Sequence, residues 1–92
     1  MRVRLSTTAA RDRIEAERNF ELPDARERFR QRVRETIDRI VLLPLSGHPI
    51  DATVRKMRVA DFPYDVIYEP DGDEIRILAV AHHRRQPGYW RR

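Results

Sequence analysis

The spacing of the apolar residues changes at about residue 44, and this change divides the chain into a helical part and a strand-rich part. From residue 25 to residue 41 the apolar residues recur every three or four positions, which is the period of a helix with one buried face. They are Ala25, Phe29, Val33, Ile37, Ile40 and Val41. After residue 53 come three runs of strand length, at residues 54–59, 62–69 and 74–82, rich in β-branched and aromatic residues. The pattern predicts helices first and a meander of strands after them.

The first 20 residues predict a short strand and a first helix. Val3 and Leu5 alternate with polar residues, as they do in a strand with one apolar face. Any of Ser6, Thr7 and Thr8 is suited to cap a helix over residues 9–19. The apolar stripe of this helix is thin and consists of Ala9, Ala10, Ile14 and Ala16.

The second helix is expected to begin at Pro23, because proline is favoured in a first helical turn. Glu27 follows Asp24 by three residues, which predicts a capping box at this end. The helix is expected to end at residues 42–44, since Pro44 and the Ser-Gly-His-Pro stretch after it cannot continue a helix.

The last strand is expected to lie inside the sheet. Residues 70–73, Pro-Asp-Gly-Asp, predict the hairpin that leads into it. A regular alternation would place two apolar sets on its two faces. One set is Ile75, Ile77, Ala79 and Ala81, and the other is Leu78 and Val80. Both faces of this strand should therefore be covered.

These elements predict an α+β fold with the order β-α-α-β-β-β, in which two N-terminal helices pack on a twisted antiparallel sheet. The 92 residues suffice for one hydrophobic core, so residues 1–92 are expected to form a single domain. No apolar run approaches the roughly 18 residues of a membrane span, and the first residues lack an apolar signal core. The absence of cysteine excludes disulfides and agrees with a reducing compartment, so we expect a cytoplasmic protein with no membrane contact.

The formal net charge is +4, and Lys56 is the only lysine among the 19 basic residues. Arginine favours bidentate contacts with phosphates and carboxylates. The charge therefore fits a nucleic acid or an acidic protein as the partner.

The second half of the chain resembles the RelE/ParE superfamily of toxins, which includes plasmid stabilisation proteins. The resemblance lies in residues 54–58 (Val-Arg-Lys-Met-Arg), 62–68 (Phe-Pro-Tyr-Asp-Val-Ile-Tyr), 75–85 (Ile-Arg-Ile-Leu-Ala-Val-Ala-His-His-Arg-Arg) and 87–90 (Pro-Gly-Tyr-Trp). It implies a hetero-oligomer with a cognate antitoxin that wraps the toxin, and growth inhibition when the toxin is free. It also implies one of two targets. RelE-like members cut messenger RNA on the ribosome without metal, whereas ParE-like members poison DNA gyrase.

Five residues bear on this choice. The resemblance places Lys56 and Arg58 where ribonuclease members carry two basic strand residues, although a solvated strand edge would look the same. It places Tyr89 where those members have a C-terminal tyrosine, and His83 where they have an arginine. Asp65 falls where they have a further arginine, and a carboxylate would repel a phosphate. This departure favours the gyrase target.

The end of the chain is strongly basic, because no acidic residue follows Glu74. The basic and aromatic residues there are Arg76, Arg84, Arg85, Tyr89, Trp90, Arg91 and Arg92. Arginines among aromatics suit nucleic acid, although Tyr89 and Trp90 could instead fold back over the core. His82 and His83 are expected to point to opposite faces of the strand, so at most one would transfer protons.

We predict a target-binding set of Arg55, Lys56, Arg58, His82, Arg84 and Arg85. His83 and Tyr89 are predicted as catalytic residues only if the chain is a ribonuclease. No metal or other cofactor is expected, because no third ligand with convincing spacing accompanies the two histidines.

An antitoxin of this class is expected to lie along an apolar groove of the toxin. The candidates for that surface are Leu42, Leu43, Leu45, Ile50, Tyr64 and Tyr68. Each of them would also fit ordinary core packing.

Three functions remain open from the sequence. The leading hypothesis is a gyrase-poisoning toxin. The alternatives are a metal-independent mRNA endonuclease (an mRNA interferase), which would make the chain an enzyme, and a basic interaction domain of the same fold that has lost toxicity.

Overall fold

The computed structural model describes residues 1–91, so Arg92 of the basic C-terminal end lies outside the described residues. The chain forms β1 (Arg2–Leu5), α1 (Thr7–Arg18), α2 (Pro23–Leu42), β2 (His48–Pro49), β3 (Arg55–Arg58), β4 (Tyr64–Asp71) and β5 (Glu74–His82). The five strands form one sheet in the order β1-β5-β4-β3-β2. Both helices lie on one face of this sheet, which confirms the predicted α+β fold.

The sheet is mixed, because β1 runs parallel to β5 while the other neighbours are antiparallel. The short strand β2, in the segment expected to be a loop, adds a fifth strand at the opposite edge. The sequence patterns did not predict the direction of β1, because its partner strand lies about 70 residues away and no turn joins the two strands.

The first turns of the two helices are stabilised by different contacts. Ser6, one of the three predicted candidates, caps α1, since its side-chain oxygen accepts a hydrogen bond from the amide of Ala9. The capping box predicted at α2 is absent. Leu22 is the N-cap residue there, without a side-chain cap, and Pro23 occupies the first turn. Proline carries no N–H group, so this end has one donor fewer to satisfy.

The main core lies between the helices and the sheet. The aromatic rings of Phe20, Phe62 and Tyr64 surround Phe29 of α2, with ring centroids 5.0 to 5.4 Å from it. On α1 the buried residues are Ala9, Asp12 and Ala16, whereas Ile14 is 47% exposed. The predicted stripe of α1 was therefore partly wrong, because a buried carboxylate takes a place on its inner face.

A β-bulge in β5 reverses the expected assignment of its faces. Ile67 pairs with Ala79 but Tyr68 pairs with Ile77, so Leu78 has no partner on β4. One extra residue in β5 shifts the alternation of side chains between the two faces of the sheet by one position. As a result Ile75, Ile77 and Val80 contact the main core, while Leu78, Ala79 and Ala81 lie on the opposite face. The prediction that Ile75, Ile77, Ala79 and Ala81 share a face was wrong, although both faces are covered as predicted.

Part of the face opposite the helices is covered by the C-terminal segment, defined as residues 83–91. Tyr89 and Trp90 of this segment pack on a small cluster of Val54, Ile67 and Ala79. Arg91 forms an ion pair of 2.9 Å with Asp51 in the loop before β3. The sequence alternative in which these aromatics fold back over the core is the arrangement seen. Within residues 1–91, neither helix has the length and apolar composition needed to cross a membrane.

Candidate functional site

A cationic cleft of about 420 Å³ lies on the sheet face opposite the helices. Its lining comes from three separate parts of the chain, namely β2 with β3, β4, and the residue after β5. The lining residues are His48, Lys56, Arg58, Asp65 and His83. The pairing of Lys56 with Ile67, and of His48 with Lys56, places these side chains on the face away from the helices.

Lys56 and Arg58 share one face of β3, as their spacing predicted, and both are exposed. Among the described residues, neither side chain has a carboxylate within ion-pairing distance. Their charges are therefore available to a ligand. Neighbouring arginines differ in this respect, since Arg76 contacts Glu69 and Asp71 at 3.1 and 3.0 Å.

Asp65 is the carboxylate of this cleft, and it contacts His83. The distance between its Oδ1 and the Nε2 of His83 is 3.3 Å. The backbone N–H of His83 donates to the carbonyl oxygen of Pro63 at 2.9 Å, which holds the histidine beside β4. The Asp65 side chain is 18% exposed and that of His83 is 34% exposed. The imidazole is therefore the more accessible partner.

A second cleft of about 350 Å³ adjoins the first and shares Lys56, Asp65 and His83 with it. Its other walls come mainly from the C-terminal segment, including Pro87 and Trp90. The second cleft is thus more apolar than the cationic one. The two form a continuous groove on the open face.

The hydroxyl of Tyr89 is engaged by Asp12 of α1, although the residue also lines the second cleft. The Tyr89 hydroxyl donates to Oδ2 of Asp12 at 2.5 Å, and the backbone N–H of Val80 donates to the same oxygen at 3.1 Å. Burial raises the pKa of the Asp12 carboxyl, although both hydrogen bonds oppose this shift. Burial, and then the hydrogen bond to Asp12, raise the pKa of the Tyr89 hydroxyl.

Asp12 is a residue that the sequence reading missed. It lies three residues after Ala9 and four before Ala16, which puts it on the inner face of α1. A charged residue at that position of an otherwise small apolar stripe was the available signal. Its buried carboxylate links α1, β5 and the C-terminal segment.

His82 and His83 make different contacts, although both border the second cleft because β5 ends at His82. The His82 ring packs against the edge of Tyr64, with centroids 5.0 Å apart, and its Nδ1 accepts a hydrogen bond from the amide of Arg84. The guanidinium of Arg85 stacks on Tyr89 at 4.0 Å. Arg84 and Arg85 are exposed at the rim of the groove.

Arg55 lies apart from the other predicted binding residues. Its side chain donates to the carbonyl oxygens of Leu45 and Gly47 at 3.0 and 2.9 Å. These contacts tie the loop after α2 to β3. The guanidinium is thus occupied by the backbone, on the sheet face that carries the helices.

The predicted apolar surface is only partly present. Leu42, Leu43 and Leu45 are 78%, 57% and 70% exposed, and we call these three residues the leucine patch. Tyr64 and Tyr68 are buried, so for these two candidates the ordinary core packing that the sequence also allowed is the arrangement seen. They belong to the main core because their positions on β4 face the helices.

Two helices pack on a mixed five-stranded sheet, and a basic groove lies on the other face of that sheet. The fold is similar to a chain of the chromosomal ParDE toxin–antitoxin system from P. aeruginosa, with a TM-score of 0.76 and 18% identity. That match covers 89% of this chain and 95% of the other. No curated protein sequence matches the chain.

Residues 3–87 match the family described as the ParE toxin of type II toxin–antitoxin systems, parDE. The chain therefore belongs to the ParE toxin family and is the toxin of a type II toxin–antitoxin system.

Proposed function

We propose that this toxin poisons DNA gyrase, that a cognate antitoxin neutralises it, and that it acts in the cytoplasm. The observation that carries the choice of target is the engagement of the Tyr89 hydroxyl by a carboxylate. This hydroxyl is bound to Asp12, so it is not free to transfer a proton at a phosphate in the cationic cleft.

The chemistry of RNA cleavage explains why this matters. The 2′-hydroxyl must lose a proton, the leaving oxygen must gain one, and cations must stabilise the growing charge on the phosphate. The cleft supplies cations in Lys56 and Arg58 and imidazoles in His48 and His83. The hydroxyl of Tyr89, the other residue predicted as catalytic, is held by Asp12. A gyrase poison requires none of these proton transfers.

Our proposal for the functional surface is the groove together with its rim. Arg84 and Arg85 are exposed beside the groove, while Lys56 and Arg58 lie inside it. Arg55 and His82 contribute by positioning, because Arg55 holds the loop after α2 and His82 accepts the Arg84 amide.

The test combines purified gyrase, supercoiled DNA and the toxin, and counts the cleaved DNA released by denaturant. We expect cleaved complexes to accumulate, and we expect Arg84→Ala with Arg85→Ala to reduce them about tenfold or more. The double variant Arg28→Ala with Arg34→Ala is the matched control, because it removes two exposed arginines from α2. Equal loss in both double variants would contradict the proposed surface.

A parallel reaction with translating ribosomes tests the ribonuclease alternative, which the convergence of Lys56, Arg58 and His83 favours. Cut messenger RNA with intact gyrase activity would replace the gyrase proposal. Absence of both effects, and of growth arrest on expression, would instead indicate a non-toxic interaction domain. Rescue of growth by the adjacent small open reading frame would identify the antitoxin.

A further inference from the structure

We propose that the cationic cleft binds the phosphodiester backbone of a nucleic acid directly, without cutting it. Its basic side chains converge from three places in the chain. His48 comes from β2, Lys56 and Arg58 come from β3, and His83 follows β5. This inference goes beyond the proposed target, because the contact is with the nucleic acid itself and does not require gyrase.

The charge balance of the cleft favours an anion. Lys56 and Arg58 are permanent cations, and Asp65 is the one acid among the five lining residues. Two cations and one carboxylate leave a net charge of +1, with the histidines counted as neutral. Arg32 on α2 differs, because its charge is balanced by contacts with both Glu35 and Asp61.

The positions of the two cations suit a repeating chain of phosphates. Lys56 and Arg58 are two residues apart on one face of β3, so their Cα atoms are separated by about 6.7 Å. Long side chains from these positions can reach successive phosphates of one strand. Asp65 contacts His83 at 3.3 Å, so its carboxylate is engaged within the protein.

The same cleft is poorly suited to an acidic protein segment. It has no apolar side chain in its lining, whereas protein interfaces depend on apolar and aromatic anchors. β4 pairs with all four residues of β3 and β2 pairs with Arg55 and Lys56, which leaves little of β3 open to an added peptide strand. Phosphates need only charges and hydrogen-bond donors, which this lining supplies.

Binding without cutting rests on Tyr89, one of the two residues predicted as catalytic. The Tyr89 hydroxyl is held by Asp12, so it is not free to transfer a proton at a phosphate in the cleft. The imidazoles of His48 and His83 both line the cleft, where they add hydrogen-bond donors for a phosphate to the two cations.

The experiment measures the fluorescence anisotropy of short labelled probes with the purified, antitoxin-free toxin. Duplex DNA, single-stranded DNA and RNA of one sequence are compared between about 50 and 200 mM salt. We expect the affinity for duplex DNA to fall with salt, with a slope of about two on a double logarithmic plot. Comparable affinity for all three probes supports a site for the phosphodiester backbone that DNA and RNA share. A higher affinity for one probe identifies the type of nucleic acid that the cleft binds.

Lys56→Ala and Arg58→Ala should each weaken binding about five- to tenfold and lower the salt slope by about one. Arg28→Ala on α2 is the matched control and should leave both values unchanged. Circular dichroism would verify that each variant is folded, which we expect for exposed side chains.

Three results would overturn the inference. The first is that no probe binds at the lowest salt concentration. The second is that Arg28→Ala loses as much affinity as the cleft variants do. The third is that a polyglutamate peptide of equal charge concentration displaces the DNA. The last result would indicate a surface for acidic protein. Shortened probe on a denaturing gel would contradict binding without cutting. Gyrase poisoning is scored in a separate reaction, so failure here leaves the target proposal standing.

Discussion

Gly47 shows how closely one residue can be constrained in this fold. The hydroxyl of the fully buried Tyr68 accepts a hydrogen bond from the Gly47 amide at 2.9 Å and donates to the Pro44 carbonyl at 2.8 Å. A Cβ atom on Gly47 would lie 2.8 Å from Cε1 of Tyr68 and 2.9 Å from the carbonyl oxygen of Lys56. The close approach of this loop to β3 and β4 therefore requires glycine.

Gly47→Ala is predicted to lower the free energy of unfolding by about 3 kcal/mol, because the tyrosine cannot move without losing both hydrogen bonds. Chemical denaturation measures this change. Gly72→Ala is the control. Gly72 has a φ of 61° but open space around its Cβ position, so only backbone strain of about 1 kcal/mol is expected. A Gly47→Ala cost no larger than that of Gly72→Ala would show that the loop can adjust.

At the scale of elements, α1 and its cap supply hydrogen-bond partners to β5 beyond the point where β1 ends. β1 pairs with β5 only as far as Ile77, and β5 continues to His82. Ser6 donates to the carbonyl oxygens of Ile77 and Leu78, and Asp12 accepts from the Val80 amide. The exposed edge of β5 is thus satisfied by a helix and its cap in place of a strand.

Asp12→Asn is predicted to change how stability depends on pH. Burial raises the pKa of Asp12 in the folded protein above its ordinary value of 3.8, so the contribution of this group to stability is complete below pH 3.8 and is lost as pH rises through the folded pKa. Asparagine keeps an acceptor oxygen but does not titrate. The variant should therefore gain stability relative to the natural chain as pH rises above 3.8. Urea denaturation at several pH values tests this.

Leu22→Asn is the control for that series, because it places an amide at an exposed position that has no titrating partner. If the free energies of unfolding of Asp12→Asn and of the natural chain depend on pH in the same way, the pKa of the buried Asp12 carboxyl is not raised.

For the whole molecule, the leucine patch is an apolar surface left uncovered at the end of α2. Its three side chains are more than half exposed, and Arg55 fixes the loop that carries Leu45. An exposed cluster of leucines favours association with another surface. The cationic cleft lacks such residues, so the molecule separates a surface suited to a protein from a surface suited to phosphate.

Leu42→Ser combined with Leu45→Ser is predicted to weaken the complex with the antitoxin at least about tenfold, since apolar anchors dominate such interfaces. Titration calorimetry with the co-expressed antitoxin measures the change. The stability of the free toxin should change by less than about 0.5 kcal/mol, because both side chains are exposed. Leu22→Ser, at the other end of α2 and 69% exposed, is the control. Equal weakening by Leu22→Ser would place the antitoxin contact elsewhere.

Local patterns in the chain were enough to predict both helices, the hairpin at Gly72, a cap for α1 among residues 6–8 and the common face of Lys56 and Arg58. Each depends on residues a few positions apart, and hydrophobic periodicity and turn chemistry act over that range. The family resemblance in the second half led to the same fold, and the ParE family match bears it out.

Contacts between distant residues decided the rest. The bulge at Leu78 reversed the faces of β5, β1 took a parallel direction, and Asp12 accepted a hydrogen bond from the Tyr89 hydroxyl. Asp12 and Tyr89 are 77 residues apart, and no local pattern encodes their hydrogen bond. Such contacts exist only once packing brings the elements together, so Lys56, Arg58 and His83 could be named from the chain, while the place of His48 beside them and the geometry of the groove depended on the assembled fold.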